Sequence, residues 1–419
     1  MRIEVLCTGD ELLTGITGDT NSPFFLERLF RIGEKLAWSQ TVGDVREDIE
    51  RALKEISASA DAVLVSGGLG PTADDLTMEC AARVAGVRLV EDPRVLESIR
   101  ARFASRNLVF SANNARQALV PEGAEAVLNP VGSAPMVIQK LGRCTVFYVP
   151  GVPREYKHLV EQEVLPRLEQ LIRAQPARVF RASRMLKTVG LPESHLDAMV
   201  APLAKVHSRV IFGFRTHAPE NHLKLMAEGE SQAEADRSLA DVERDCREVL
   251  GAFVFGAEGD DFPGTVVRLL AARKETLAFA ESCTGGLAAA MVTSVPGASD
   301  VLLGSAVTYA ESLKVRWAQV PEQLLSQHGA VSAPVAEAMA AGIRRETGAS
   351  WGLGITGYAG PSGGTEQDPV GTVYLGLASD KDAVSRRCLF SGDRERVRQF
   401  AAYTALDMLR RRVLGVEPA

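Results

Sequence analysis

Histidine is scarce in this 419-residue chain: there are six, and the last third holds only His328. A Ser-His-Asp triad needs an imidazole beside its nucleophile, so serine chemistry in that third must find another base. The six cysteines (Cys7, Cys80, Cys144, Cys246, Cys283, Cys388) form no Cys-x-x-Cys pair. That argues against a zinc site or a disulfide framework and fits reduced thiols. No run approaches the roughly 18 uncharged apolar residues of a membrane helix. The start, Met1-Arg2-Ile3-Glu4-Val5-Leu6, lacks the long apolar core of a secretory signal. A soluble, cytoplasmic protein with no membrane partner is the expectation. Basic charge is not in excess: 47 Lys and Arg face 53 Asp and Glu, for a net charge of −6. With aromatics at 6% and no aromatic–basic stripe, nucleic acid is not the expected partner.

What is present is ordinary globular material, 46% hydrophobic and 24% charged, at a length that exceeds one hydrophobic core. The N-terminal part alternates apolar runs with amphipathic stretches. Ile3 to Thr8, Leu36 to Val42 and Ala62 to Val65 read as strands, the last buried on both faces; Asn21 to Ile32, Ile49 to Ile56 and Asp75 to Ala85 read as helices. This βαβ rhythm predicts an open, mainly parallel sheet over residues 1–173. Residues 177–255 follow a small α+β pattern, with strands at Phe180 to Val189, Val210 to His217 and Leu223 to Glu228. An acidic, glycine-containing stretch, 256–264, reads as a linker. From 265 to 415 a second α/β domain is expected, with strands at Leu277 to Ala280, Trp351 to Ile355 and Val370 to Ala378, and a long helix from Ser391 to Leu414.

Three loops of the first domain each follow a strand: Thr8-Gly9-Asp10-Glu11, Val42-Gly43-Asp44, and Ser66-Gly67-Gly68-Leu69-Gly70-Pro71-Thr72-Ala73-Asp74-Asp75. Ligands of parallel sheets bind beyond the carboxyl ends of the strands, so these loops can share a crevice. Gly67, Gly68 and Gly70 let backbone amides approach phosphate oxygens, and Glu11, Asp44 and Asp75 are hard oxygen donors suited to Mg²⁺. Taken singly, the glycines are turns and Asp74 and Asp75 are helix caps.

In the last domain Ala280-Glu281-Ser282-Cys283-Thr284-Gly285-Gly286 joins a strand to a helix. Ser282, Cys283 and Thr284 lie around the start of that helix, where free amides can hold a phosphate or an oxyanion. Ser282 and Cys283 are rival nucleophiles, a helix N-terminus favouring the thiolate, and a plain helix cap is the alternative to both. Tyr309 or Lys314 can accept a serine proton if burial depresses its pKa, although a lysine on a helix is ordinarily solvated. Gly354-Ile355-Thr356-Gly357-Tyr358-Ala359-Gly360 is dense enough in glycine to wrap a phosphate or simply to turn. Arg394, Arg396 and Arg398 alternate at the start of the last helix, so they cannot all face one ligand.

The run Gly67 to Thr77, together with Gly9-Asp10-Glu11-Leu12, Asp44 and Pro150-Gly151-Val152-Pro153-Arg154-Glu155, resembles the molybdopterin-binding-like domain of the CinA family. Ala280 to Gly286, Pro296 to Ser299, Val307-Thr308-Tyr309, Lys314, Gly329 to Ser332, Thr356 to Pro361 and Pro369 to Tyr374 resemble that family's C-terminal domain, and the middle segment resembles a KH-type module. The resemblance covers nearly the whole chain and implies two activities. One is metal-dependent hydrolysis of ADP-ribose to AMP and ribose 5-phosphate, with Glu11, Asp44 and Asp75 at the metal and Asp10, Gly67, Gly68, Gly70 and Thr72 at the ligand. The other is cofactor-free deamidation of nicotinamide mononucleotide. There Ser282 is the nucleophile, Tyr309 and Lys314 its activating partners, and Thr284, Gly285, Ser299, Thr356, Gly357 and Arg396 contact substrate. A homodimer is also implied. The sequence departs from the family twice. Met136 replaces a Gly and is expected to narrow the first pocket. Tyr309-Ala310-Glu311 replaces Tyr-Ser-Asn and loses an expected amide contact. Two rival readings are a nucleotide-sensing or nucleic-acid-associated scaffold, and a first domain that binds a pterin without hydrolysis.

Overall fold

The computed structural model describes residues 1–175 and 179–416; the expected domain start at Ala177 lies outside them. The chain is mixed α/β and divides into two compact units, Met1–Ser183 with Ala227–Arg237, and Arg184–Met226 with Ser238–Ala419. The expected middle segment is therefore split between them.

Apolar residues form the centre of the first unit's sheet because no polar side chain there has water to face. In β1 (Ile3–Thr8) and in β3 (Ala62–Ser66) every residue is buried, while β2 (Trp38–Val42) is the partly exposed edge. Ile3, Val5, Cys7, Ala62 and Leu64 pack on one face, and Leu6, Val63 and Val65 on the other. This alternation is what a parallel strand covered on both sides requires. Beyond a short pair, β4 (Leu89–Glu91) with β5 (Leu119–Pro121), come β6 (Glu125–Val127), β7 (Met136–Leu141) and β8 (Cys144–Val149). The sheet order is β2-β1-β3-β8-β7-β6. Its first four strands are parallel, β7 runs antiparallel to β8, and β6 antiparallel to β7.

A four-stranded sheet follows, with β9 (Phe180–Val189), β10 (Val210–His217), β11 (Glu220–Gly229) and β12 (Val254–Gly256) in the order β10-β11-β9-β12. The stretch expected to be a linker is ordered instead. Asp260 accepts from the Ala257 amide, and Asp261 caps the helix Phe262–Arg273 through the Gly264 amide.

The second unit's main sheet has β13 (Leu277–Glu281), β14 (Leu302–Val307), β15 (Trp351–Gly357), β16 (Thr372–Ala378) and β17 (Ala383–Leu389), ordered β14-β13-β15-β16-β17. β13 is central and wholly buried. Leu277 and Phe279 face the helices Phe262–Arg273, Leu287–Thr293 and Arg394–Leu414, while Ala278 and Ala280 face the helix Ala333–Thr347. Parallel β14 and β15 flank β13, so the loop after Glu281 emerges at the carboxyl edge between two neighbours. Among the described residues no helix is long and apolar enough to cross a membrane.

Candidate functional site

The loop after β13 is built around Glu281. Its buried carboxylate accepts from the amides of Gly286 (3.0 Å), Ala288 (3.2 Å) and Ala289 (2.9 Å). These are the donors that a helix start leaves unpaired, here those of Leu287–Thr293. The amides of Gly286, Ala288 and Ala289 are thus taken by the protein's own acid and are not free for an oxyanion or phosphate. The amides left without a protein acceptor in this loop, among the described residues, are those of Cys283 and Thr284, beside Ser282.

Ser282 is anchored by its amide on the Ile355 carbonyl (2.8 Å). Its hydroxyl lies 2.9 Å from Lys314 Nζ. Lys314, on the helix Glu311–Ala318, is 1% exposed, not solvated. Its amine also donates to the carbonyls of Thr308 (2.7 Å) and, more weakly, Tyr309 (3.4 Å). Carbonyls only accept, so two N–H bonds are spoken for and the remaining position of the nitrogen faces Ser282 Oγ. Burial lowers the Lys314 pKa, against smaller opposing effects of Cys283 and Glu311. Burial pushes the Cys283 thiol up to about 12, and its sulfur belongs to the apolar core with Phe279 and Ala288. Desolvation outweighs the helix terminus, and Cys283 drops out as nucleophile.

The other expected residues separate. Tyr309 is 60% exposed, and its hydroxyl accepts from Arg394 (3.0 Å), not from Ser282. Thr284 is buried, with its hydroxyl unpartnered and its carbonyl held by Arg398 (2.8 Å). Gly285 follows it in a left-handed conformation. Thr356 is buried and donates to the Ala330 carbonyl (2.7 Å), at the end of the strand that closes on Gly357. Ser299 sits exposed on the turn Ala298–Asp300 and makes no hydrogen bond with Ser282, Lys314 or Thr356 among the described residues. Arg396 is the clearest correction. It faces a different cavity, while Arg394 and Arg398, one helical turn apart, reach the loops around Ser282. Residues four apart share a helix face and the one between them does not. That spacing was the signal for Arg394 and Arg398. His328 is exposed on the helix Glu322–His328, away from these bonds.

In the first unit the three loops line one cavity of about 560 Å³. Glu11, Asp44, Asp75, Gly67, Gly68 and Gly70 are on its wall; Asp10 and Thr72 are not. Asp10 and Asp44 instead exchange amide-to-carboxylate bonds of 3.1 Å, locking two loops together. Gly67 has φ +110°, and a Cβ there would meet the Thr8 carbonyl oxygen at 2.3 Å, so only glycine fits. Both Asp75 oxygens accept from their own loop, from the amides of Gly70 (2.7 Å) and Thr72 (2.8 Å) and from the Thr72 hydroxyl. Asp75 is a loop clamp rather than an open ligand arm. Met136 is buried among Ile3, Val5 and Phe147, and Ser133 and Ala134 line the cavity in its stead. It does not narrow the pocket. Sequence reasoning missed two lining residues. Asn21 donates to Ser66 Oγ (3.2 Å) and the Gly151 carbonyl (2.8 Å), leaving its buried oxygen unpartnered. Glu155, bonded by Asn129 (2.7 Å), has its pKa raised by burial.

Asp44 bears on the divalent cation that the resemblance implies. Its pKa is raised, first by burial and then by the charges of Asp10, Glu11 and Asp74, against a bond from the Asp10 amide. Clustered carboxylates of this kind suit a hard cation. Among the described residues no three metal-ligating side chains converge, but Mg²⁺ is ordinarily held by one or two carboxylates plus water and phosphate. Glu11 and Asp44 fit that role, and Asp75 does not.

Three family profiles match in succession: "Probable molybdopterin binding domain" over residues 4–170, "Damage-inducible protein CinA KH domain" over 183–256, and "CinA C-terminal domain" over 260–413. They fall on the N-terminal sheet, the middle module and the C-terminal α/β domain. A CinA-like protein of Myxococcus xanthus is 54% identical over 418 residues, 99% of each chain. One of an Anaeromyxobacter species is 45% identical over 412 residues, 98% of each chain. A solved structure of Thermoplasma acidophilum, described as the protein CinA with unknown function, is 31% identical and covers 41% of this chain and 98% of that one, with a TM-score of 0.37.

Proposed function

The chain belongs to the CinA family, and we propose that its C-terminal domain is an amidohydrolase that converts nicotinamide mononucleotide to nicotinate mononucleotide and ammonia. The observation that carries this reading is the buried Lys314 amine 2.9 Å from Ser282 Oγ, in a domain whose only histidine, His328, makes no bond to Ser282. Neutral Lys314 takes the serine proton as Oγ attacks the carboxamide carbon. The amides of Cys283 and Thr284, next to Ser282, are the donors assigned to the developing oxyanion, and removal of such a donor typically costs about a hundredfold or more in rate. Lys314 returns the proton to the leaving ammonia; water then attacks the acyl-enzyme and passes a proton to Lys314, which hands it to Ser282 Oγ as the acyl–oxygen bond breaks and nicotinate mononucleotide leaves. Purified protein is expected to release ammonia from nicotinamide mononucleotide, and Ser282→Ala to lose that activity by several orders of magnitude. Wild-type ammonia release by Ser282→Ala would sink the reading.

For the N-terminal domain the proposal is hydrolysis of ADP-ribose to AMP and ribose 5-phosphate. A cavity of about 560 Å³ lies in the range of nucleotide sites. When bound at Glu11 and Asp44, a divalent cation supplies charge neutralisation to pyrophosphate oxygens and acidifies a water. Gly67 and Gly68 allow the loop backbone close to those oxygens, and the Asp75 clamp fixes the loop. AMP release that chelator stops, with ammonia release unaffected, is the expected result. Binding of ADP-ribose with no AMP formed would instead favour a binding domain. The homodimer is part of the same proposal and is checked by sedimentation.

A further inference from the structure

The cavity that receives Arg396 has a volume of about 600 Å³ and lies wholly within the second unit, between the edge of β17, the last helix and the segments around Val189 and Pro219. Charge is distributed unevenly on its wall. Arg387 is neutralised by Asp368, and Asp407 by Arg410 and Arg411. Glu193 accepts the hydroxyl of Thr216. Arg386 and Arg396 have no ion pair among the described residues. Arg396 is held in place without a charge partner: its guanidinium lies 4.5 Å from the centre of the Phe400 ring, and a Cβ on Gly392, at φ +118°, would meet its Cδ at 2.4 Å. Phe390 and Phe400 form a ring pair at 6.0 Å beside it, and Tyr403 closes the apolar wall. Asn221 adds a buried side-chain oxygen with no donor.

Two unneutralised guanidiniums suit a phosphate, whose oxygens match their planar fork. The aromatic wall suits a planar ring. We propose that this cavity is a further nucleotide site, distinct from the Ser282 centre and from the N-terminal cavity, which takes the phosphate on Arg386 and Arg396 and the base against Phe390 and Phe400. The first turns of the helix Arg394–Leu414 connect the two. Arg396 points into the cavity, while Arg394 holds the Gly360 carbonyl and Tyr309 hydroxyl and Arg398 holds the Thr284 carbonyl. A nucleotide that draws on Arg396 shifts the residues that shape the amidase loop, so its occupancy changes amidase turnover.

The test is hydrogen–deuterium exchange on the full chain with AMP and with adenosine as probes, because peptide-level protection separates this cavity from the N-terminal one. AMP is expected to protect the segments around 189–193, 386–390 and 396–404, and adenosine is not. Arg386→Gln and Arg396→Gln should each weaken that protection by about tenfold, with the melting temperature unchanged. AMP should alter ammonia release by the wild type and not by the double variant. No AMP protection of these segments, equal protection by adenosine, or protection that survives the double substitution overturns the site. An AMP effect on ammonia release that persists in the double variant overturns the coupling.

Discussion

Ser282 and Cys283 are adjacent and chemically alike, yet their surroundings give them opposite fates. Ser282 opens toward Lys314, whereas the Cys283 thiol is packed in the core and pushed up to about 12. Cys283→Ala is therefore expected to keep ammonia release near wild type while costing about 1 kcal/mol of stability from lost packing, read from steady-state rates and urea unfolding. A collapse of activity at wild-type stability would reopen the thiol. Lys314 yields a pH prediction. Its pKa is lowered by burial, so kcat/KM should climb as pH rises through that depressed value and the amine becomes a base. The stability sign runs the same way. Below the folded-state value both states hold the proton and the buried ammonium weighs fully on the fold. Between that value and the unfolded value of about 10.4, only the unfolded chain stays protonated, so stability rises with pH. A Lys314→Met chain should lose both dependences, and a wild-type pH profile surviving in it would exclude Lys314 as the base. At this scale the sequence reading supplied Ser282 and Lys314 but was blind to environment. Nothing in the order of residues says that Cys283 points into a core or that Met136 points away from a pocket; only the pairing of Arg394 with Arg398 against Arg396 was written in the spacing.

Elements whose character is local were the readable ones. Ala62–Ser66 and Leu277–Glu281 are apolar up to their last residue because both faces are covered, and that is visible without a structure. The strand Ala383–Leu389 was not seen, since it is a half-exposed edge carrying Ser385, Arg386 and Arg387. The ends of elements were harder still, because their caps are settled by tertiary contact. The helix Leu287–Thr293 is capped by an acid six residues before its start, a spacing outside the usual Ser, Thr, Asp and Asn signal. Glu281→Gln replaces an acceptor-only carboxylate by an amide whose NH2 meets backbone donors. It is expected to lower the unfolding free energy by about 1–3 kcal/mol, read as a fall in urea midpoint at constant m. Ammonia release should fall with it, because Ser282 and the amides of Cys283 and Thr284 hang on the same turn. An unchanged midpoint would mean that the carboxylate contributes nothing to the helix start.

On the scale of the whole molecule, each proposed centre is complete within its own unit: Glu11, Asp44 and the Gly67 loop in one, Ser282, Lys314 and Arg398 in the other. The net charge of −6 is not spread evenly, for part of it gathers where Asp10, Glu11 and Asp74 raise the Asp44 pKa alongside burial. A raised carboxylate carries its own sign. The folded state holds the Asp44 proton to a higher pH than the unfolded chain, so this group favours the fold below its unfolded pKa and loses that contribution as pH rises through the folded one. At neutral pH the acids repel one another, and a bound cation relieves the repulsion. Because a ligand that prefers the folded state stabilises it in proportion to the logarithm of its concentration, Mg²⁺ should raise the melting temperature of the wild type at neutral pH, and less so near pH 4, where protons compete. Asp44→Asn should melt higher than wild type without Mg²⁺, respond less to it, and lose AMP release while keeping ammonia release. Equal Mg²⁺ stabilisation of wild type and Asp44→Asn would mean that the acidic loops are a solvated cluster and that the cation binds elsewhere.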